Sequence, residues 1–254
     1  MATLTRLDCG EIRGDLAIFE DGSEGKVTLP VTAWLVRHPR GNVLFDTGMP
    51  VSLPGASDRT DIFPEFVTTR FGAHDAVGAQ LIANSQDPKR VDFVVLSHLH
   101  FDHVGGLSDV PNATVVVQRK EWETNLIGPQ QRYTLNPSEE FDLKHEPHLI
   151  DGEHDLFGDD SVVCIPTPGH TPGHQSLRVR LSTGEQVVLA SDCCLFSRTI
   201  DSAVLPTFGF DLDEQRHSLA YLKRCRDNGA MIIPGHDMEF VSHLPRVLGT
   251  DDST

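Results

Sequence analysis

The chain has 254 residues, of which 39% are hydrophobic, and its 37 acidic and 21 basic residues give a net charge of −16. This balance argues against nucleic acid and anionic membranes as partners, because clustered lysine and arginine are needed to bind phosphate. No signal peptide or membrane span is expected, and five cysteines without framework spacing indicate reduced thiols. We therefore expect one cytoplasmic domain over residues 1–254, and the sequence leaves a homodimer open.

The first part of the chain is expected to form strands followed by a loop. Residues 31–36 and 42–45 are apolar segments on either side of a turn, a pattern that predicts a β-hairpin ending at Asp46. Residues 49–71 are rich in proline, glycine and serine and predict a lid-like loop. Apolar spacing then predicts a helix over residues 73–85, with apolar positions at Ala76, Ala79 and Ile82.

The remainder mixes strands and helices. The nearly continuous apolar run 91–96 predicts a strand buried on both faces. A second buried strand is expected at 113–118, followed by a helix, and residues 126–148 show no period and predict a second part of the lid. A capping-box pattern that begins at Asp211 predicts a helix ending near Gly229. Further strands are expected at 161–166, 176–181, 186–190 and 231–233.

Four metal-binding side chains occur within six residues directly after the strand at 91–96. Residues i and i+2 of an extended segment point the same way, so His98 and His100 can approach one ion together. Asp102 and His103 follow a necessary turn, which suits a second ion nearby. Core packing explains such a cluster poorly, since each group would need a buried polar partner.

Three further residues stand at the ends of predicted strands, namely His170, Asp192 and His236. Each is a weak signal alone, because an aspartate at a strand end is commonly a cap and a Gly-His segment is commonly a loop. Their recurrence at the same end of buried strands predicts that they join the first cluster.

The motif HxHxDH at residues 98–103, followed by a distant His, Asp and His, resembles the metallo-β-lactamase superfamily along nearly the whole chain. The resemblance implies an α/β fold, specifically a four-layer αββα sandwich of two mixed sheets with helices outside. It implies two divalent metal ions, most simply Zn²⁺, with Fe, Mn or Co as substitutes. Its ligand sets would be His98, His100 and His170 for the first ion, Asp102, His103 and His236 for the second, and Asp192 for both.

Two segments resemble one branch of that superfamily, the N-acyl-homoserine lactonases. These are His-Leu-His-Phe-Asp-His-Val-Gly-Gly from His98 and Pro-Gly-His-Thr-Pro-Gly-His from Pro168. The resemblance implies that a hydroxide held between the metals opens a lactone or related ester, with Asp102 as a catalytic proton relay. One position departs from that branch: a tyrosine usually follows the bridging aspartate by three residues, and Leu195 stands there instead.

Other residues are expected around the metals. Asp46 and His174 are candidates to orient the ligands, although either could simply satisfy local backbone groups. Phe63, Phe66 and Phe101 could line an apolar pocket for an acyl chain, together with Leu195. For any single phenylalanine, packing in the core is the simpler explanation.

Two other functions remain open from the sequence. A glyoxalase II-like thioesterase would use the same ligands, but it normally has a basic helical extension, and only residues 237–254 follow the last ligand. A non-catalytic, metal-dependent ligand-binding protein would have no need of two complete metal sites. Turnover of a lactone or ester that is lost on chelation separates an enzyme from a binding protein.

Overall fold

Two mixed β-sheets form the framework of the computed structural model, which describes residues 2–50, 67–124 and 144–250. The strands are β1 (Thr3–Asp15), β2 (Lys26–His38), β3 (Gly41–Phe45), β4 (Val67–Arg70), β5 (Phe93–Val95), β6 (Thr114–Gln118), β7 (His148–Ile150), β8 (His154–Asp155), β9 (Val162–Pro166), β10 (Gln175–Arg180), β11 (Gln186–Ser191), β12 (Met231–Pro234) and β13 (Val247–Leu248). The helices are α1 (Leu16–Phe19), α2 (Val77–Ala83), α3 (Phe101–Val104), α4 (Arg119–Thr124), α5 (Thr199–Ser202), α6 (Leu212–Asp227) and α7 (Met238–His243).

The strand order explains why both sheets are mixed. The first sheet runs β13-β1-β2-β3-β5-β6-β7, with β4 paired to β1, and the second runs β12-β11-β10-β9-β8. In the first sheet, β1, β2 and β3 pair antiparallel, whereas β3, β5, β6 and β7 pair parallel. In the second, only β11 and β12 pair parallel. The predicted hairpin is confirmed, with Trp34 opposite Phe45.

Alternating side chains of the strands build an apolar layer between the two sheets. Trp34 and Phe45 of the first sheet belong to the same buried cluster as Leu177 and Leu189 of the second. Because successive strand residues point to opposite faces, Leu35 and Val188 fall on the outer faces of their sheets.

Helices cover both outer faces. Val77 and Leu81 of α2 pack with Leu35 on the first sheet. Leu219 and Leu222 of α6 pack with Val188 on the second. The order helix, sheet, sheet, helix confirms the predicted αββα sandwich. Within the described ranges, none of these helices has the length and apolar character of a membrane span.

The predicted helix at 73–85 is shorter in the structure, and one of its apolar residues faces solvent. The helix expected over 73–85 exists as α2, but its inward residues are Val77 and Leu81. Ile82 was expected to be among the apolar positions and is 68% exposed. Successive helical residues differ by about 100°, so the residue after Leu81 turns away from the core.

Part of each segment predicted as a lid loop forms a strand instead. Met49 is buried, and residues 67–70 form β4, whose backbone pairs with β1 rather than remaining in a loop. His148 opens β7 at the end of the other segment. Residues 51–66 and 125–143 lie outside the described part of the chain, so a lid remains a prediction there.

Candidate metal centre

The candidate site lies where strands of both sheets end. Because β3 and β5 are parallel, and so are β11 and β12, their carboxyl ends share one edge of each sheet. Asp46 follows β3, and the segment with His98 follows β5. Asp192 follows β11, and His236 follows β12. Four positions distant in sequence are therefore brought to one edge of the sandwich.

Ser97 joins the two sheets at this edge. Its carbonyl accepts from the Gln175 backbone N–H at 2.9 Å, and its hydroxyl accepts from Ser191 Oγ at 2.9 Å. Two neighbours adopt left-handed backbone conformations, with φ of 59° at Asp46 and 47° at Ser191. Such conformations cost about 1–3 kcal/mol in non-glycine residues and cluster at functional sites.

The first group of candidate ligands consists of three histidines and one aspartate, all buried. His100 Nδ1 lies 2.9 Å from His98 Nε2 and 3.1 Å from His170 Nε2. Asp192 Oδ2 lies 3.2 Å from His170 Nε2 and 4.0 Å from His98 Nε2. Ligand atoms of a tetrahedral zinc ion lie about 3.4 Å apart, given Zn–N distances of about 2.0–2.1 Å. The spacing of this group fits one such ion.

The second group adds a separate set of donor atoms. Asp102 Oδ2 lies 3.5 Å from His103 Nε2 and 3.7 Å from His236 Nε2. Asp192 Oδ1 lies 3.2 Å from His103 Nε2 and 3.0 Å from His236 Nε2. The two oxygens of Asp192 therefore face different groups, as those of a bridging carboxylate would.

Hydrogen bonds on the far side of two imidazole rings decide which nitrogen faces the site. His103 Nδ1 lies 2.9 Å from Asp46 Oδ2, and His236 Nδ1 lies 2.9 Å from the Pro30 carbonyl oxygen. Both partners are acceptors, so each Nδ1 carries a proton and each Nε2 is the nitrogen that faces the site and can bind a metal ion.

Carboxylate oxygens surround the Nε2 atoms of His103 and His236. His103 Nε2 is buried without a hydrogen-bond partner among the described residues, although Asp102 and Asp192 lie close to it. Buried acceptors that face one another repel unless a cation or protons lie between them. The donor set therefore fits a pair of divalent metal ions.

Burial and neighbouring charges shift the pKa values of the cluster in different directions. Burial lowers the pKa of His98 and His170 well below 6.5, which favours the neutral form that binds metals. Burial would lower the pKa of His103 too, but the carboxylates of Asp102 and Asp192 hold it well above 6.5. Burial alone would raise the pKa of Asp192, yet the surrounding histidines keep it well below its ordinary value.

His174 lies beside the candidate ligands. Its Nδ1 lies 3.0 Å from both the hydroxyl and the carbonyl oxygen of Thr167, and its ring centre lies 5.3 Å from that of His98. Burial lowers the pKa of His174 to about 3. It therefore packs against the cluster as a neutral ring.

The predicted pocket residues fall in different places. Leu195 is buried, and its carbonyl accepts from the His236 backbone N–H at 3.0 Å. Phe101 is also buried, as the first residue of α3, in the same apolar cluster. Phe63 and Phe66 lie outside the described residues.

Two residues that support the site were missed at the sequence level. Glu121 is 1% exposed and accepts from the Leu99 and Gly173 backbone N–H groups. Its charged neighbours in Arg-Lys-Glu-Trp-Glu-Thr are typical of a solvated helix and gave no signal. Gln215 is fully buried and donates to the Asp192 carbonyl oxygen at 3.0 Å. The apolar period that runs from Leu222 back through α6 could have placed Gln215 on the inner face.

The fold and the ligand groups agree with a family model described as the metallo-beta-lactamase superfamily, which matches residues 27–236. The chain belongs to the metallo-beta-lactamase superfamily. The match includes all seven candidate ligands, from the strand-end motif to the last histidine.

Relatives within this family were found by sequence and by structure. N-acyl homoserine lactonase AttM of Azorhizobium caulinodans is 30% identical over 241 residues, which cover 85% of each protein. N-acyl homoserine lactonase AiiA of Bacillus thuringiensis subsp. kurstaki is 30% identical over 218 residues, 84% of this chain and 83% of its own. A solved N-acyl homoserine lactone hydrolase, with the product N-hexanoyl-L-homoserine at its catalytic metal centre, has a TM-score of 0.81 at 28% identity and covers 96% of both chains.

Proposed function

We propose that this protein is a dinuclear-metal hydrolase that opens the lactone ring of N-acyl-homoserine lactones or of a related lactone or ester. The position of Asp192 carries the proposal, because its two oxygens face two separate groups of ligands. The names of AttM and AiiA support the substrate class, since both are N-acyl homoserine lactonases.

The residues of the two groups divide between two ions. We assign His98, His100 and His170 to the first ion, Asp102, His103 and His236 to the second, and Asp192 to both. Imidazole and carboxylate donors without thiolate suit Zn²⁺, and Fe, Mn or Co could replace it. When bound, such ions polarise a carbonyl oxygen and lower the pKa of water from 15.7 to about 7.

Asp102 is the residue we assign to proton transfer. Asp192 lies between both groups, whereas Asp102 faces the second group from the first turn of α3. Burial would raise the pKa of Asp102, but His103 holds it below its ordinary value, so the carboxylate is ionised and can accept a proton. In lactone opening, water adds to the carbonyl carbon and the ring C–O bond breaks. Asp102 would take the proton from water and deliver it to the departing ring oxygen.

An apolar wall next to the ligands suits an acyl chain. Phe101, Leu195 and Phe196 belong to one apolar cluster, and Phe208 packs against it. The Phe208 ring centre lies 5.9 Å from that of His170. Leu195 is buried and carries no hydroxyl, so the substrate carbonyl must be oriented without a donor at that position.

A substrate panel tests the proposal. Metal-loaded protein should hydrolyse N-acyl-homoserine lactones of several chain lengths faster than aryl esters or a glutathione thioester. Activity should vanish with a chelator and return with Zn²⁺. Hydrolysis of the thioester alone would favour the glyoxalase II-like alternative, and binding of a lactone without turnover would favour a binding protein.

The ligand assignment has its own test. His103→Ala and Asp192→Ala should each lower the bound metal and abolish turnover, because each removes a donor from the buried group. Metal content by elemental analysis and lactone hydrolysis measure the two effects. His148→Ala removes an exposed histidine of β7 and serves as the control. Full metal content or full turnover in either site variant would reject the assignment.

A further inference from the structure

Helix α4 carries one buried carboxylate toward the metal centre. Glu121 is 1% exposed, whereas Lys120 and Glu123 on the same short helix face solvent. Among the ion pairs of the described residues, none involves Glu121, although Lys120 lies near enough to favour its charged form slightly. A buried carboxylate without a close cation is costly unless hydrogen bonds compensate it. The burial of Glu121 therefore has to be compensated by hydrogen bonds.

Its two oxygens bind two different ligand-bearing loops. Oε1 accepts from the Leu99 backbone N–H at 3.2 Å, and Oε2 accepts from the Gly173 backbone N–H at 2.9 Å. Leu99 stands between His98 and His100 in the sequence. Gly173 stands three residues after His170. One carboxylate thus joins the segments that carry all three histidines of the first group.

The backbone of the loop that carries His170 also packs closely against the backbone of α4. A Cβ added at Gly173 would lie 2.1 Å from the Glu121 backbone nitrogen and 2.6 Å from its Cα. Backbone cannot yield to such an overlap as the end of a flexible side chain can. Glycine at 173 therefore lets the His170 loop sit directly on α4, within reach of the Glu121 side chain.

We propose that Glu121 is a positioning residue for the first metal ion, because it fixes the separation of the His98–His100 segment from the His170 loop. The inference rests on the proposed metal centre and extends it to a residue that touches no ion. Burial raises the pKa of Glu121, while the Thr171 hydroxyl and the backbone N–H groups of Gly173 and Leu99 oppose that rise. The acceptor role itself needs two oxygens, each facing a backbone N–H group.

Glu121→Gln is the decisive variant. The amide has the same shape but only one acceptor oxygen, so its NH₂ group must face a backbone N–H group. We expect the first ion to bind about 10–100-fold more weakly, the loss typical when a residue that orients metal ligands is replaced, while the second ion binds as before. Titration of metal-free protein with Co²⁺, followed by visible absorption, measures both affinities. His170→Ala and His236→Ala identify which binding step belongs to which group.

Glu123→Gln is the matched control, since that side chain is 59% exposed and its ion pair with Arg119 spans 3.9 Å. It should leave both Co²⁺ affinities unchanged. A purely structural role for Glu121 would lower thermal stability without changing the ratio of the two affinities. Unchanged affinities in Glu121→Gln, or an equal loss at both sites, would overturn the proposal.

Two further outcomes keep the inference separate from the proposed function. If Glu121→Gln does not fold, Glu121→Asp keeps both acceptors on a shorter side chain and should weaken the first ion alone. Wild-type affinities in that variant would also overturn the positioning role. Wild-type protein that binds two Co²⁺ ions but opens no lactone would reject the function and leave the role of Glu121 intact. Wild-type protein that binds no Co²⁺ would reject the metal centre and the role together.

Discussion

Asp46 shows how one side chain can fix a metal ligand without belonging to the ligand set. Its carboxylate lies 2.7 Å from the Ser97 backbone nitrogen, 2.8 Å from Ser97 Oγ and 2.9 Å from His103 Nδ1, and it accepts from all three. The bond to His103 directs the lone pair of Nε2 into the site. The bonds to Ser97 tie that orientation to the end of β5.

Asp46→Asn is expected to weaken the second metal ion about 10–100-fold. An amide offers one acceptor oxygen, so it cannot serve the two donors of Ser97 and the ring of His103 together. Asparagine tolerates the positive φ of this position about as well as aspartate, which keeps backbone strain out of the result. Metal retained after dialysis against chelators of graded strength measures the effect.

The control for Asp46→Asn is Asp213→Asn, which changes a carboxylate that is 88% exposed on α6. It should retain wild-type metal content. Equal metal retention in Asp46→Asn and wild-type protein would show that the orientation of His103 does not depend on Asp46.

Individual residues of the site differed in how well the sequence predicted them. His98, His100, Asp102 and His103 form a dense local motif, so their proximity follows from spacing alone. Glu121 acts through contacts with residues 22 and 52 positions away, and no local pattern encodes such contacts.

At the scale of elements, α6 supports the loop that carries His170. The Phe210 backbone N–H donates to the His170 carbonyl oxygen at 3.0 Å, and that of Asp211 donates to the Gly169 carbonyl oxygen at 2.8 Å. A Cβ added at Gly169 would lie 2.2 Å from the Gln215 backbone nitrogen, and φ at Gly169 is +129°. The loop and the first turn of the helix therefore pack backbone against backbone.

Gly169→Ala should destabilise the protein by about 2–5 kcal/mol, combining about 1–2 kcal/mol for the left-handed backbone with about 1–3 kcal/mol for overpacking. Gly184→Ala is the matched control, because Gly184 has φ of +90° but no atom within 4 Å of an added Cβ. It should show the backbone cost alone. Urea unfolding measures both changes, and equal losses in the two variants would contradict the close packing of α6 on this loop.

The elements themselves were predictable where a local signal marks their ends. The Asp211 carboxylate caps α6 by accepting from the backbone N–H groups of Asp213 and Glu214, as its sequence pattern predicts. The other half of the capping box is absent, because the Asp211 backbone N–H donates to Gly169 instead of Glu214. The apolar spacing of α2 did not show that Ile82 faces solvent, since several apolar residues allow more than one inward face. β4 was missed because its pairing with β1 depends on residues more than 50 positions away.

At the scale of the whole molecule, the metal centre brings together acceptor groups that follow strands of both sheets, and these groups must bind either metal ions or protons. Without metal, the convergent acceptors must share protons, which explains why the pKa values of His103 and His236 are raised despite burial. A histidine whose pKa is raised by folding stabilises the folded protein. This stabilisation is fully present below pH 6.5, the ordinary histidine pKa, and is lost as pH rises through the raised pKa. Asp192, with a lowered pKa, contributes above its ordinary 3.8 and loses that contribution only as pH falls through the lowered value.

After metal removal, the free energy of unfolding should therefore fall as pH rises above about 6.5, because the stabilisation contributed by protonated His103 begins to decrease there. Metal-loaded protein should not show this loss, because bound ions replace the protons and bind more tightly as protons become scarce. The gap in melting temperature between loaded and chelated protein should widen from pH 6.5 to 8.5 by several degrees, since 1 kcal/mol shifts a domain of this size by about 2–4 °C.

Thermal melts across this pH range, with and without a chelator, measure the gap. The chelated His103→Ala variant lacks the most strongly affected histidine, so its melting temperature should depend less on pH than that of chelated wild-type protein. A gap that narrows as pH rises would mean that protons do not take the place of the ions. The two sheets would then be held together at this edge by other contacts, such as the hydrogen bond between Ser191 and Ser97.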